Sequence, residues 1–230
     1  MKAECYVITI ETNIESVKYA NRCISSAKKI GLDINIFNAF TPRHRPLKLL
    51  EDRGIQTKRL HCRKDHSYID SVAGCFLSHF TLWEKCIEIN KPIVIFEHDA
   101  IIKNQIPSNI LDGTGFNLVI NIGKPSYGIF KIPEFIGINP FTSYNLIGTH
   151  AYVVKPGGAL LLITQAKKSP RKGGGARATD KFLNKKKFPF LEELYPWPVV
   201  VESEFTTIQL PANKYNNGVS LDEFGKAKLI

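Results

Sequence analysis

The amino-acid sequence predicts an α/β fold with a mostly parallel central sheet flanked by helices, and three observations carry that prediction. The chain opens strand–helix–strand: Tyr6-Val7-Ile8-Thr9-Ile10 is a compact β-rich run, an apolar repeat of three or four residues follows from Ile14 to Ile30, and Ile34-Asn35-Ile36-Phe37 restores a strand. A crossover helix of that length is what parallel neighbours require. Further on, Pro92-Ile93-Val94-Ile95-Phe96 is a continuous apolar run, the mark of a strand buried on both faces. The composition agrees: 43% hydrophobic, 10% aromatic and 23% charged residues describe a folded chain with a core, which excludes extensive disorder and a collagen-like chain. One domain is expected over residues 1–230.

Each element has its own signal. Glu11-Thr12-Asn13 is a turn; Ile14, Val17, Ala20, Ile24, Ala27 and Ile30 form the stripe of the first helix, and Gly31 closes it. Residues 41–66 change character, with Arg43, Arg45, Lys48, Arg53, Lys58, Arg59, Arg63 and Lys64 opposed by Glu51, Asp52 and Asp65. Pro42 and Pro46 argue against regular structure at its start, and the segment reads as a solvated basic insertion or as a contact for an acceptor or a membrane. Asp70 or Ser71 caps a second helix reaching about Asn90, whose stripe is Val72, Cys75, Phe76, Phe80, Trp83 and Ile87; His79 beside it is expected to be buried. Short strands follow at Asn117–Asn121 and His150–Lys155, with a loop-rich stretch at 123–146 between them and a helix from Gly157 to Lys168. Residues 169–177 hold Gly173-Gly174-Gly175 among cations and read as a mobile loop. Thr179 caps a short helix to Leu183, Val199–Glu202 is a late strand, and the tail after Lys214 is peripheral.

Lys and Arg number 31 against 21 Asp and Glu, a net charge of +10. That favours an anionic partner: a sugar nucleotide, a lipid headgroup, a phosphorylated glycan or a nucleic acid. A nucleic-acid binder usually shows interleaved aromatics or a recognisable module, and neither stands out, which ranks nucleic acid below the other partners. The five cysteines at 5, 23, 62, 75 and 86 contain no CxxC pair and suit a reducing compartment, with Cys75 and Cys86 as small core residues. His61, Cys62 and His66 lack the second Cys pair of a zinc site. The first apolar run is too short for a signal peptide, and 135–154 is uncharged apart from His150 but not apolar enough for a span. A cytoplasmic location is expected, with peripheral contact to the inner face of an anionic membrane left open by the basic patches.

The sharpest local feature is Glu97-His98-Asp99 at the end of the apolar strand. In extended chain, residues two apart point the same way, so Glu97 and Asp99 can share one cleft. Ligands of open α/β sheets bind beyond the strand ends, and paired carboxylates there suit a hard divalent cation holding a diphosphate. The plain alternative is a solvated acidic strand exit or salt bridges to the many cations.

These residues also carry a resemblance. Gly74-Cys75-Phe76-Leu77-Ser78-His79-Phe80-Thr81-Leu82-Trp83 resembles the GCxxSHxxxW segment of glycosyltransferase family 25, which includes lipooligosaccharide and procollagen galactosyltransferases. About fourteen residues later, Ile95-Phe96-Glu97-His98-Asp99-Ala100 resembles its apolar strand and EDDA. Gly148-Thr149-His150-Ala151-Tyr152 with Gly158-Ala159 is similar to its GTxAY strand and following helix, and Ala178-Thr179-Asp180-Lys181-Phe182 falls where the family has a segment built around an Asp. Order and spacing agree over roughly residues 5–205. Two departures stand out: His98 replaces the middle acid, and Glu11-Thr12-Asn13-Ile14-Glu15-Ser16 replaces an arginine-rich turn.

The resemblance implies a GT-A-like domain and an inverting glycosyltransferase that moves a hexose, galactose or glucose, from a UDP-sugar to a saccharide or glycolipid acceptor such as a lipooligosaccharide. Departure of the diphosphate then calls for a divalent ion, Mn²⁺ or Mg²⁺, as Lewis acid, with Asp99 as principal ligand and Glu97 as a second ligand or a contact to the nucleoside through water. Donor-binding candidates are Thr9, Ser78, His79, Glu97, Asp99 and Tyr152, the last equally placed to pack. Asp180 is the candidate base, with the glycine-rich loop before it closing over the donor. A covalent Ser78–His79 mechanism lacks an acidic third member in the sequence. The cations from Lys167 to Lys187 suit a diphosphate, an anionic acceptor or simple solubility. The alternative function is an inactive nucleotide-sugar or glycan-binding protein of the same fold.

Overall fold

The structure, a computed structural model, describes residues 2–60, 68–113, 115, 117–126 and 130–201, and the backbone of 219–221 and 227–229. His61, Cys62, His66 and the cations Arg63 and Lys64 lie outside the described residues. The strands are β1 (Glu4–Thr9), β2 (Asn35–Asn38), β3 (Ile93–Glu97), β4 (Ala100–Ile102), β5 (Val119–Asn121), β6 (Gly137–Pro140), β7 (Ala151–Val154), β8 (Leu191–Tyr195), β9 (Val199–Val201), β10 (Val219–Leu221) and β11 (Ala227–Leu229). The helices are α1 (Ile14–Lys28), α2 (Pro46–Asp52), α3 (Ile69–Glu88), α4 (Ser108–Leu111), α5 (Pro156–Lys167) and α6 (Thr179–Phe182).

A seven-stranded sheet in the order β2-β1-β3-β7-β5-β8-β6 forms the centre, and β4–β9 and β10–β11 are separate two-stranded pairs. β1 pairs in parallel with both β2 and β3, joined by crossovers through α1 and α3. β7 runs against its neighbours β3 and β5, and β6 runs against β8, so five of the seven strands share one direction. This is the mostly parallel α/β class the sequence predicts.

Period-two alternation assigns the strand residues to two cores. Tyr6, Ile8, Ile93, Ile95, Tyr152 and Val154 face α3, α5 and α6, where Phe76, Trp83 and Phe182 fill the layer. Cys5, Val7, Val94, Phe96, Ala151 and Val153 face the other way onto Ala20, Cys23 and Ala27 of α1. No helix among the described residues is long and apolar enough to cross a membrane.

Several local expectations change. Asn13 caps α1 by accepting from the Ser16 N–H, and the inward face is Ser16, Ala20, Cys23, Ser26 and Ala27. Ile14, expected in the stripe, is 82% exposed because small residues let the helix lie close to the sheet on a rotated face. Ile87 likewise sits at the rim of α3, and that helix starts at Ile69 without a side-chain cap. The described part of the basic segment 41–66 is more than a solvated loop. Pro46 occupies the first turn of α2, where its missing N–H costs nothing, and Leu50, Ile55 and Leu60 enter the core while Arg43, Arg45, Lys48 and Lys58 stay exposed and Arg53 and Arg59 are half-buried. The glycine-rich loop is a packed turn: Gly175 N–H donates to Ala166 and Ala176 N–H to Gln56. Strand β8 was hidden by its Glu192-Glu193 pair; Glu193 is fully buried and accepts from the Thr142 N–H, the Thr142 hydroxyl and the Trp197 indole.

Candidate functional site

β1 and β3 end side by side, Ile8 opposite Glu97, and a cleft opens beyond them. Its walls include Ile8, Ile10, Phe40, Thr41, Cys75, His79 and Glu97. Gly74 and Ser78, one turn apart on α3, bind the wall that follows β2. A Cβ on Gly74 would sit 2.3 Å from the Phe40 carbonyl oxygen, so only glycine lets the helix approach this closely. Ser78 accepts from the Phe40 N–H at 2.9 Å and donates to the Gly74 carbonyl at 2.8 Å. Its hydroxyl is thereby committed to backbone and is buried, which gives the covalent reading no geometric basis and makes Ser78 a wall support.

His79 is fully buried. Its Nε2 lies 3.3 Å from Glu97 Oε1 and its Nδ1 2.9 Å from the Tyr152 hydroxyl, which also accepts from the Trp83 indole at 2.8 Å. The acidic partner of His79 that the sequence does not reveal is therefore Glu97. Tyr152 is itself fully buried, so it stands behind His79 instead of lining the cleft. Thr9 is also absent from the lining: it is buried, and its hydroxyl turns back to the Val7 carbonyl at 3.3 Å, leaving Ile8 and Ile10 at the cleft.

Glu97, Asp99 and His150 converge, with one potential ligand atom from each lying within 4.8 Å of the others. His150 arrives through β7: the Glu97 N–H donates to the His150 carbonyl at 2.8 Å as the two strands begin to pair. Gly148, at φ +90°, makes the preceding turn, and a Cβ there would strike His150 Nε2 at 2.0 Å. The Ser126 hydroxyl engages that Nε2, so Nδ1 is the nitrogen turned to Asp99. His150 Nδ1 and Asp99 Oδ1 stand 3.8 Å apart, too far for a hydrogen bond. Both atoms are buried without a hydrogen-bond partner. Burial pushes the Asp99 carboxyl up, but the neighbouring His150 and His98 rings outweigh it and hold it below the usual value. His98, the replacement for the middle acid, borders the cleft and is not one of the three converging residues; its ring centroid lies 6.5 Å from that of Tyr19 on α1.

Cys75, His79 and Glu97 form a second cluster of the same compactness. Burial drives the Cys75 thiol far up, with Glu97 adding to the effect, and Sγ lies 3.5 Å from the Thr179 hydroxyl. This contact seats α6 against α3. Asp180, next in α6, is raised above the ordinary carboxylate value by burial first and by Glu97, against the pull of Lys181. His79 and Glu97 thus line the cleft, Asp99 and His150 converge on Glu97, and Asp180 is near enough to feel the charge of Glu97. The signal for His150 was its place in Gly148-Thr149-His150-Ala151-Tyr152, but its proximity to Asp99 depends on an antiparallel pairing of residues over fifty positions apart.

Residues 2–115 match the sequence model of glycosyltransferase family 25, described as an LPS biosynthesis protein. This stretch, which carries the cleft-forming part of β1, α3 and the Glu97–Asp99 turn, is where the chain is similar to glycosyltransferase family 25. A glycosyltransferase 25 family member of Aedes aegypti is 29% identical over 98 residues, a match covering 42% of this chain and 16% of that protein. Among solved structures, the CTP:phosphocholine cytidylyltransferase of Streptococcus pneumoniae gives a TM-score of 0.42 at 10% identity, covering 86% of this chain and 92% of that one. A glycosyltransferase involved in glycosylation of the major capsid of PBCV-1 gives 0.37 at 10% identity, covering 88% and 94%.

Proposed function

We propose that this glycosyltransferase inverts configuration, moving galactose or glucose from a UDP-sugar to a saccharide acceptor such as a lipooligosaccharide or another surface glycan. The observation that carries the reading is the pair of buried, unpartnered atoms, Asp99 Oδ1 and His150 Nδ1, facing each other across 3.8 Å beside Glu97. Two bare acceptors at such a separation fit the reach of one divalent ion, whose bonds to oxygen and nitrogen run to about 2.1 Å. Asp99, His150 and Glu97 would hold it, and the nitrogen in the set favours Mn²⁺ over Mg²⁺. When bound, the ion would supply Lewis acidity to the departing diphosphate.

The chain's own residues do the rest. His79 orients Glu97, and the Gly74–Ser78 face of α3 fixes the wall against which the nucleoside lies. An acceptor hydroxyl attacks the anomeric carbon opposite the diphosphate, and Asp180 takes its proton as the glycosidic bond forms. Burial suits Asp180 to this work by raising its basicity.

A donor-binding protein without transfer is the second reading, motivated by His98 and by the loss of the arginine-rich turn. The position of His98 outside the converging set favours the enzyme. Titration calorimetry with UDP, UDP-galactose, UDP-glucose and the GDP counterparts, with and without Mn²⁺, tests the proposal. Mn²⁺-dependent UDP binding that is lost in Asp99→Ala is expected; no nucleotide binding under any condition would overturn it.

A further inference from the structure

The two basic segments of the sequence meet in the fold. The Ala176 N–H donates to the Gln56 carbonyl at 2.8 Å, which sets the chain leading to Arg59 against the chain leading to Arg177. Gly173 packs on Lys187: a Cβ there would lie 3.7 Å from Lys187 Cε. The Lys187 ammonium sits 5.2 Å from the centroid of the Phe182 ring. Lys187 Nζ and Arg177 Nε are both buried and neither has a hydrogen-bond partner. Among the described residues, neither these two nor Arg59 forms an ion pair with an acid.

The three charges feel one another. Burial first, then Arg177 and Arg59, push the Lys187 ammonium down to about 8. Arg177 is depressed in turn by burial and by Arg59. Clustered cations with desolvated, unbonded N–H groups lack both a counter-charge and an acceptor, and a single tetrahedral oxyanion supplies both. A guanidinium pair offers forked donors and the lysine a mobile point charge, the combination suited to a phosphoryl group.

We infer that Arg59, Arg177 and Lys187 form a binding site for a phosphoryl group. Arg177 leads directly into α6, whose Thr179 touches Cys75 and whose Asp180 senses Glu97. Arg177 stands three residues before Asp180, so a phosphate-bearing saccharide is the ligand this position favours. The acceptor identity rests on the proposed transferase reading; the existence of the site does not. A phosphoryl group could also come from the donor's diphosphate, and the two sources separate experimentally.

The test is thermal unfolding and calorimetry of the whole protein with inorganic phosphate and with glucose 6-phosphate, at ionic strength matched by chloride. Saturable stabilisation by both ligands is expected, persisting when UDP and Mn²⁺ are present at saturation. Lys187→Met and Arg177→Gln should each weaken phosphate binding by about tenfold or more. Loss of phosphate binding on adding UDP and Mn²⁺ would overturn the acceptor assignment and give the site to the donor's diphosphate. No saturable response at matched ionic strength, or an unchanged response in both variants, would overturn the site itself. Because this measurement needs no donor or turnover, it stands apart from failure of the transferase reading.

Discussion

The Tyr152 hydroxyl lies 2.9 Å from Nδ1 of His79, and this contact determines where the protons beneath the cleft reside. The Trp83 indole can only donate, so Tyr152 accepts from it and directs its own proton to Nδ1. His79 then carries its proton on Nε2, pointing at Glu97 Oε1. Any other arrangement strands a buried donor, at a cost of about 1–3 kcal/mol. Burial keeps the tyrosine protonated by pushing its hydroxyl well above the usual value.

Tyr152 therefore positions Glu97 through His79. In Tyr152→Phe, the His79 Nδ1 nitrogen resonance should move as it loses its donor, and Mn²⁺ affinity should fall by about tenfold or more, the usual effect of removing an outer hydrogen bond from a metal site. His79→Gln, whose amide offers the same acceptor and donor, should recover much of what His79→Ala loses. A wild-type nitrogen spectrum with the proton on Nδ1 would refute the assignment.

This chain of contacts marks how far the sequence could be read. The strand–helix–strand opening and the apolar run into Glu97 were legible because they are local, with period and burial written in adjacent residues. His79 was placed correctly in the core for the same reason. Its link to Glu97 and Tyr152 was not legible, because it joins residues from α3, β3 and β7 through sheet pairing. The turn of the Thr9 hydroxyl back to Val7 was not legible either, because strand period gives the face of a side chain but not its hydroxyl rotamer. β8 escaped notice because a fully buried carboxylate, Glu193, breaks the apolar pattern that announces a central strand.

His150 should behave as a ligand. His150→Ala is expected to weaken Mn²⁺ binding by about 10–100-fold while preserving the fold, measured by electron paramagnetic resonance titration and circular dichroism. His98→Asp, which restores the family's middle acid, should change Mn²⁺ affinity by less than about threefold because that position is outside the converging set. A large gain from His98→Asp would show that the middle position belongs to the site after all.

Asp180→Asn should separate binding from chemistry. Donor affinity is expected to persist, whereas transfer falls by about 10²–10⁴-fold, the range for removal of a general base. The raised pKa of Asp180, caused chiefly by burial, adds a pH signature: the base loses competence as pH falls through a value above that of an ordinary carboxylate, so the acid limb of kcat should lie correspondingly high. Unchanged transfer in Asp180→Asn would remove it from the mechanism.

Lys187 provides a prediction about stability alone. Its ammonium titrates at about 8 in the fold against 10.5 in the ordinary case, driven by burial and then by Arg177 and Arg59. Between those values the unfolded chain binds more protons than the folded one, so stability rises with pH across that window. Below about 8 the ammonium is charged in both states and its destabilisation is fully present. Half-burial and solvent screening reduce the effect of the shift to about 1 kcal/mol. Lys187→Met should therefore be more stable than the wild type by about that amount at neutral pH in the absence of phosphate, with the difference narrowing from pH 8 upward. Denaturant melts of both proteins across that range provide the check. A variant less stable at neutral pH would mean that packing of the lysine stem on Phe182 outweighs the clustered charge.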